Sequence, residues 1–121
     1  MPRPILDESS IHPAIRGTIA GWNHAIVDEV KAAVAANPVV VVGMAQNPFP
    51  AKARKALDAI GQPYKYLEYG SYFGLWRPRS ALKMWTGWPT FPMVFVRGTL
   101  VGGASELRAL IDSGALKAML A

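Results

Sequence analysis

The sequence predicts an α/β domain built on one mixed four-stranded sheet flanked by helices. Three observations carry that reading. Val39–Val42 is a run of four β-branched residues, which suits a central strand covered on both faces. From Val39 to Tyr69 the pattern runs strand, helix, strand, and such a succession demands a parallel pair joined by a right-handed crossover. "MVFV" (Met93–Val96) and "TLVGG" (Thr99–Gly103) flank Arg97-Gly98 and read as an antiparallel hairpin.

The first strong helix starts at Asn23, which can cap it. Ile26, Val27, Val30 and Val34 recur at helical spacing, and Asn37-Pro38 ends the run. Residues 1–22 form an N-terminal extension, partly helical, and residues 23–121 form the domain proper. After the valine strand, Pro50 sits in the first turn of a helix, where its missing N–H costs nothing. Ala53, Ala56, Leu57 and Ile60 supply its buried stripe, and Gly61 closes it. "PYKYLEY" (Pro63–Tyr69) alternates and reads as the second strand. Pro78 opens a helix that includes Ala81, Leu82 and Trp85 and stops at Gly87. Ser105 can cap the last helix, with Leu107, Leu110 and Ile111 inside and a break at Ser113-Gly114.

Composition excludes whole classes of chemistry. The chain of 121 residues has no cysteine, so disulfides, thiolate catalysis and thiolate metal sites are out. His12 and His24 fit no familiar zinc spacing, so no metal is expected. No apolar stretch approaches a bilayer span, and the N-terminus lacks an apolar signal core, which points to the cytoplasm. The net charge of +5 comes from scattered residues such as Lys52, Arg54, Lys55, Arg77, Lys83, Arg97 and Arg108. They read as solvated helix faces, and nucleic acid is not an expected partner. Ser71, Ser80, His24 and Asp28 make no recognisable triad.

The element order, "WPTFP" (Trp88–Pro92), "VGG" (Val101–Gly103) and the spacing through "SGALKAML" together resemble the glutaredoxin family, closest to its monothiol branch. The resemblance covers about Asn23 to Ala121 and implies a thioredoxin-like fold. The family's reactive Cys-Gly-Phe-Ser or Cys-Pro-Tyr-Cys motif aligns with Asn47-Pro48-Phe49-Pro50. Thiol–disulfide exchange needs a thiolate, and an amide with delocalised lone pairs cannot replace it. The family's bridging iron–sulfur cluster loses its protein ligand with that cysteine. The helix N-terminus itself remains suited to hold an anion.

The same resemblance implies a glutathione cradle. Phe91, before a cis-Pro92, would pair its backbone with the cysteinyl unit as a one-residue strand addition. Phe49 and Thr90 would flank it. Arg79 matches a family arginine that reaches the glycyl carboxylate; as a bare sequence feature it reads as a surface helix charge. Gly102-Gly103 leads into the last helix, whose N–H groups, with Ser105, would take the γ-glutamyl carboxylate. The family's aspartate aligns with Ser105 and its lysine with Met44, so two charges are missing. Two exposed pairings lost weaken binding by about 1–2 kcal/mol, or roughly tenfold.

The expected function is therefore a redox-silent module, not an enzyme, that binds glutathione weakly or a peptide end. Two alternatives stay open. One is a transferase-like enzyme in which Asn47 favours the thiolate of bound glutathione. The other is an interaction domain that uses the old groove and the aromatic segment Tyr69, Tyr72, Phe73 and Trp76, for which ordinary packing against the sheet is the competing reading.

Overall fold

The computed structural model describes residues 3–71 and 73–121, so Tyr72 lies outside the described residues. The helices are α1 (Pro13–Gly21), α2 (His24–Ala36), α3 (Pro48–Ala59), α4 (Trp76–Thr86), α5 (Ala104–Ser113) and α6 (Ala115–Leu120). The strands are β1 (Val39–Gly43), β2 (Lys65–Glu68), β3 (Met93–Val96) and β4 (Thr99–Gly102), in the sheet order β2-β1-β3-β4. β1 pairs in parallel with β2, Val40 facing Lys65, and antiparallel with β3, Val39 facing Val96. β3 and β4 form the expected hairpin, and Arg97 and Gly98 both take positive φ in its turn.

The two-residue period of β1 divides the core. Val40 and Val42 pack on one face with Ile26, Val30, Leu82 and Phe95, beneath α2 and α4. Val39 and Val41 pack on the other with Leu57, Val94, Leu107 and Leu116, beneath α3, α5 and α6. All four valines are fully buried, which is why no polar residue interrupts the strand.

Several local expectations shift. The stripe of α3 is Pro50, Ala53 and Leu57; Ile60 follows the helix as its C-cap and is half exposed. α3 opens at Pro48, and α4 opens at Trp76 rather than Pro78, after Leu75 in the left-handed region. Asn23 precedes α2 with φ 43°, and its side chain makes no cap. Ser105 does not cap α5; Gly103 holds that position in extended conformation. The first twenty-two residues carry a short 3-10 turn (Glu8–Ser10) and α1, which buries no residue. Arg3 fastens this extension by donating from Nη1 to the Thr86 carbonyl at 2.9 Å. Among the described residues no helix is long and apolar enough to cross a membrane.

Gly43 fixes how α3 meets the sheet. A Cβ there would stand 2.7 Å from Pro50 Cβ and 2.9 Å from the Tyr66 hydroxyl. The bare position lets the first turn of α3 press against the end of β1. Gly43→Ala should cost about 1–3 kcal/mol through overpacking. Gly17→Ala, in an exposed helix with open space around it, should stabilise by up to about 1 kcal/mol. Urea midpoints of the two variants check this, and equal midpoints would refute it.

Tyr66 sets a pH dependence. Burial first, then its hydrogen bond to Glu68 at 3.0 Å and the charge of that carboxylate, push its hydroxyl up to about 12. Unfolded tyrosine titrates near ~10, so the folded state keeps the proton longer. Its stabilising contribution is complete below about pH 10 and is lost as pH rises to about 12. The stability difference between the wild type and Tyr66→Phe should therefore shrink across that window; a constant difference would contradict the assignment.

Candidate functional site

Asn47 occupies the turn between β1 and α3 in extended conformation, with φ −105° and ψ 123°. Its side chain works in two directions. Oδ1 accepts the Phe49 N–H at 3.0 Å and caps α3. Nδ2 donates to the Phe91 carbonyl at 3.3 Å. Pro48 and Pro50, at the first and third helical positions, bring no N–H. The first three donors of α3 are thus absent, taken and absent. The expected anion site at this helix N-terminus is closed, because the chain has filled it with its own amide and prolines.

The Phe91–Pro92 bond is cis, the form the resemblance implies. Beside it lies a cleft of about 250 Å³. Phe49, Thr90, Phe91, Pro92, Gly103 and Ser105 meet there, joined by Ala104 and Glu106. Phe91 is buried, with the Lys83 ammonium 5.8 Å from its ring, while Phe49 is 50% exposed and forms a wall. Gly102 stands one residue behind, in β4, with φ +119°. A Cβ on Gly102 would lie 2.8 Å from the Glu106 side chain, so the bare glycine lets Glu106 fold back. Glu106 Oε1 then accepts the Gly103 N–H at 3.2 Å. Ala104 and Ser105 open α5, and their N–H groups have no partner within the helix. The indole N–H of Trp88, near Gly103, is buried without an acceptor.

Glu106 is not among the sequence-predicted site residues, since Ser105 stands in the place of the family's aspartate. The signal was present: an acid three residues after a helix-opening glycine reaches back to that residue's N–H. The cleft therefore holds a carboxylate after all.

Arg79 is not in the cleft, and it is not a surface charge. It is 7% exposed, and its Nη1 donates to the carbonyls of Tyr69 at 3.0 Å and Gly74 at 2.6 Å. The loop after β2 folds over the start of α4 and turns these carbonyls inward, where they need a donor. The aromatic segment it carries divides. Tyr69 packs on the core, and its hydroxyl donates to Glu29; burial, then that bond, raises its pKa. Phe73 and Trp76 stand in solvent, 90% and 60% exposed, so the packing expectation fails for both. The Arg77 guanidinium covers the Trp76 ring at 4.8 Å.

The cleft has no thiol, its hydroxyls Thr90 and Ser105 have no histidine among the described cleft residues to activate them, and an amide suits iron less than a thiolate does. The cleft offers the Phe91 backbone ahead of β3, a carboxylate and helix N–H groups, which are tools for binding. Replacing Asn47 by Ala should cost about 0.5–2 kcal/mol through the lost cap. Asn47→Asp keeps the cap and loses only the bond to Phe91, so it should fall between. Chemical denaturation checks the order, and an unaltered Asn47→Ala would show that the amide holds nothing.

The glutaredoxin family model matches residues 39–101, more than half of the chain. A glutaredoxin-like protein of Dictyostelium discoideum is 45% identical over 102 residues, covering 84% of this chain and 83% of that protein. A chloroplastic glutaredoxin-C4 of Oryza sativa subsp. japonica is 34% identical, covering 78% and 71%. Among solved structures, wheat glutaredoxin superposes with a TM-score of 0.68 at 33% identity, covering 78% of this chain and 90% of that one. A buckwheat glutaredoxin–glutathione complex gives 0.70 at 24% identity, covering 83% and 91%, and supports the fold. Half the chain under one family model and close relatives along most of its length lead to one conclusion: this protein belongs to the glutaredoxin family.

Proposed function

We propose that this chain is a glutaredoxin-family binding module that holds glutathione, or a peptide end like it, without turning it over. The observation that carries this reading is the cis-proline cleft, kept beside an open α5 N-terminus, while Asn47 stands where the nucleophile would be. The buckwheat relative, crystallised with glutathione, supports it by likeness of fold.

The residues of the cleft fit an extended tripeptide. The N–H of Phe91 meets its cysteinyl carbonyl. The Phe91 carbonyl can accept as well, but shares its lone pairs with Asn47 Nδ2. The first N–H groups of α5 take the γ-glutamyl carboxylate, and Glu106 faces its ammonium. Arg79 is engaged by the loop, so the glycyl end is held less tightly and its identity matters less. That loosened end is why a peptide terminus is included in the reading. The transferase-like alternative needs Asn47 Nδ2 to donate to a bound thiol; one of its two hydrogens goes to the Phe91 carbonyl, which leaves the other for that role.

Calorimetry with reduced glutathione and with S-methylglutathione tests the proposal. Both should bind with a Kd on the order of millimolar, about −4 kcal/mol. Glu106→Gln keeps the link to Gly103 and removes the charge, and should weaken binding by roughly 2- to 5-fold. Absence of binding by both ligands, or indifference to Glu106→Gln, would overturn the assignment. No thiol–disulfide exchange is expected with either ligand, because the chain has no cysteine.

A further inference from the structure

We infer that the groove between α3 and α5 is a docking strip for an acidic, extended polypeptide whose end enters the cis-proline cleft. This rests on the cleft being a binding site and names the class of partner it serves.

Phe49, Lys52, Ala56 and Ala59 recur every three or four residues and so share one face of α3. α5 answers with Ala104, Ser105 and Arg108, and the two helices enclose a groove of about 550 Å³. Alanines make its floor, which leaves room for a polypeptide backbone. Lys52, Lys55 and Arg108 make its rim, all three exposed. In the sequence these cations are scattered; the fold gathers them. Among the described residues no carboxylate lines the groove. Of the acids around it, Asp58 on α3 acts on Arg54, Glu106 turns to the Gly103 N–H, and Asp112 pairs with Arg108 Nε at 3.3 Å. That last pair is exposed on both sides and gives way readily. Among the described residues Lys52 and Lys55 form no ion pair, and together with Arg108 they attract an acidic segment.

Continuity identifies the occupant further. Phe49, Ala104 and Ser105 line both the groove and the cleft, so one chain can run through both. Nucleic acid is the poorer fit. Three cations match few phosphates, and Phe49, the one aromatic in the groove, has Lys52 Nζ over its ring at 4.9 Å, where a base would stack.

Fluorescence anisotropy with a labelled decapeptide of alternating Glu and Gly tests the inference. The controls are the same peptide with Gln for Glu and a single-stranded oligonucleotide of equal length. The Glu peptide should bind at low salt and the Gln peptide should not. Lys52→Glu with Lys55→Glu should weaken binding about tenfold or more with an unchanged urea midpoint. Lys52→Gln with Lys55→Gln gives the same direction in smaller measure, should charge reversal disturb folding. Equal binding of the Gln peptide, or tighter binding of the oligonucleotide, overturns the inference. Amide shifts separate the two readings. Glutathione shifts at Phe91 and Gly103, with none at Lys52, Lys55 or Arg108 from the Glu peptide, remove the strip and keep the cleft. Shifts along the strip, with none at Phe91 or Gly103 from either ligand, remove the cleft reading and keep acidic docking.

Discussion

The Asn47 side chain joins two segments 44 residues apart: the start of α3 and the peptide before the cis-proline. One amide caps a helix with its oxygen and steadies the Phe91 carbonyl with its nitrogen. A thiol at this position would offer a weak donor and a weak acceptor in place of both bonds. The amide lacks a thiolate's nucleophilicity and supplies a clasp. The cleft beside it is lined by the Phe91–Pro92 peptide, the Phe49 ring and the first turn of α5.

The two helix N-termini beside the cleft have taken opposite courses. α3 has closed its end with Pro48, Pro50 and the Asn47 oxygen. α5 opens on Gly103, whose lack of a side chain leaves Ala104 and Ser105 facing the cleft. Electrostatic attraction for an anion thus belongs to α5 alone, with Glu106 beside it to meet a cation. A zwitterionic amino-acid head, carboxylate and ammonium on one carbon, matches this pair. The same economy appears at Arg79. A buried guanidinium gives itself to backbone carbonyls, and the loop it holds presents Phe73 and Trp76 outward. Unlike the alanine-floored groove, that exposed tip has no charge pattern to name what would cover it.

Where a pattern has one physical solution, the sequence disclosed it. Four consecutive β-branched residues admit only a doubly covered strand, and Arg97-Gly98 between apolar runs admits a tight hairpin turn. The parallel β1–β2 pair and the β3–β4 hairpin followed from these; the antiparallel pairing of β1 with β3 that orders the sheet did not. Helix starts were harder to read, because proline at the first and third positions are equally acceptable, so Pro50 and Pro78 drew attention from Pro48 and Trp76. Arg79 was illegible for a different reason. Its burial depends on where a loop ten residues away lays its carbonyls, and helix periodicity does not report that. Glu106 lies one residue beyond the place of the family's aspartate, and Gly102 gives it the space to fold back. The gathering of Lys52, Lys55 and Arg108 likewise requires the packing of α3 on α5, which sequence distance conceals.

A crystal structure of the protein with S-methylglutathione tests the central claim most directly, because this ligand cannot form a disulfide. The account predicts the tripeptide extended along Phe91 and Pro92, its γ-glutamyl carboxylate at the first turn of α5 and its ammonium against Glu106. It also predicts the Asn47 amide still bound to the Phe91 carbonyl. An empty cleft at saturating ligand would contradict it. So would glutathione seated instead in the cavity of about 700 Å³ bounded by Lys31, Trp85 and Arg97.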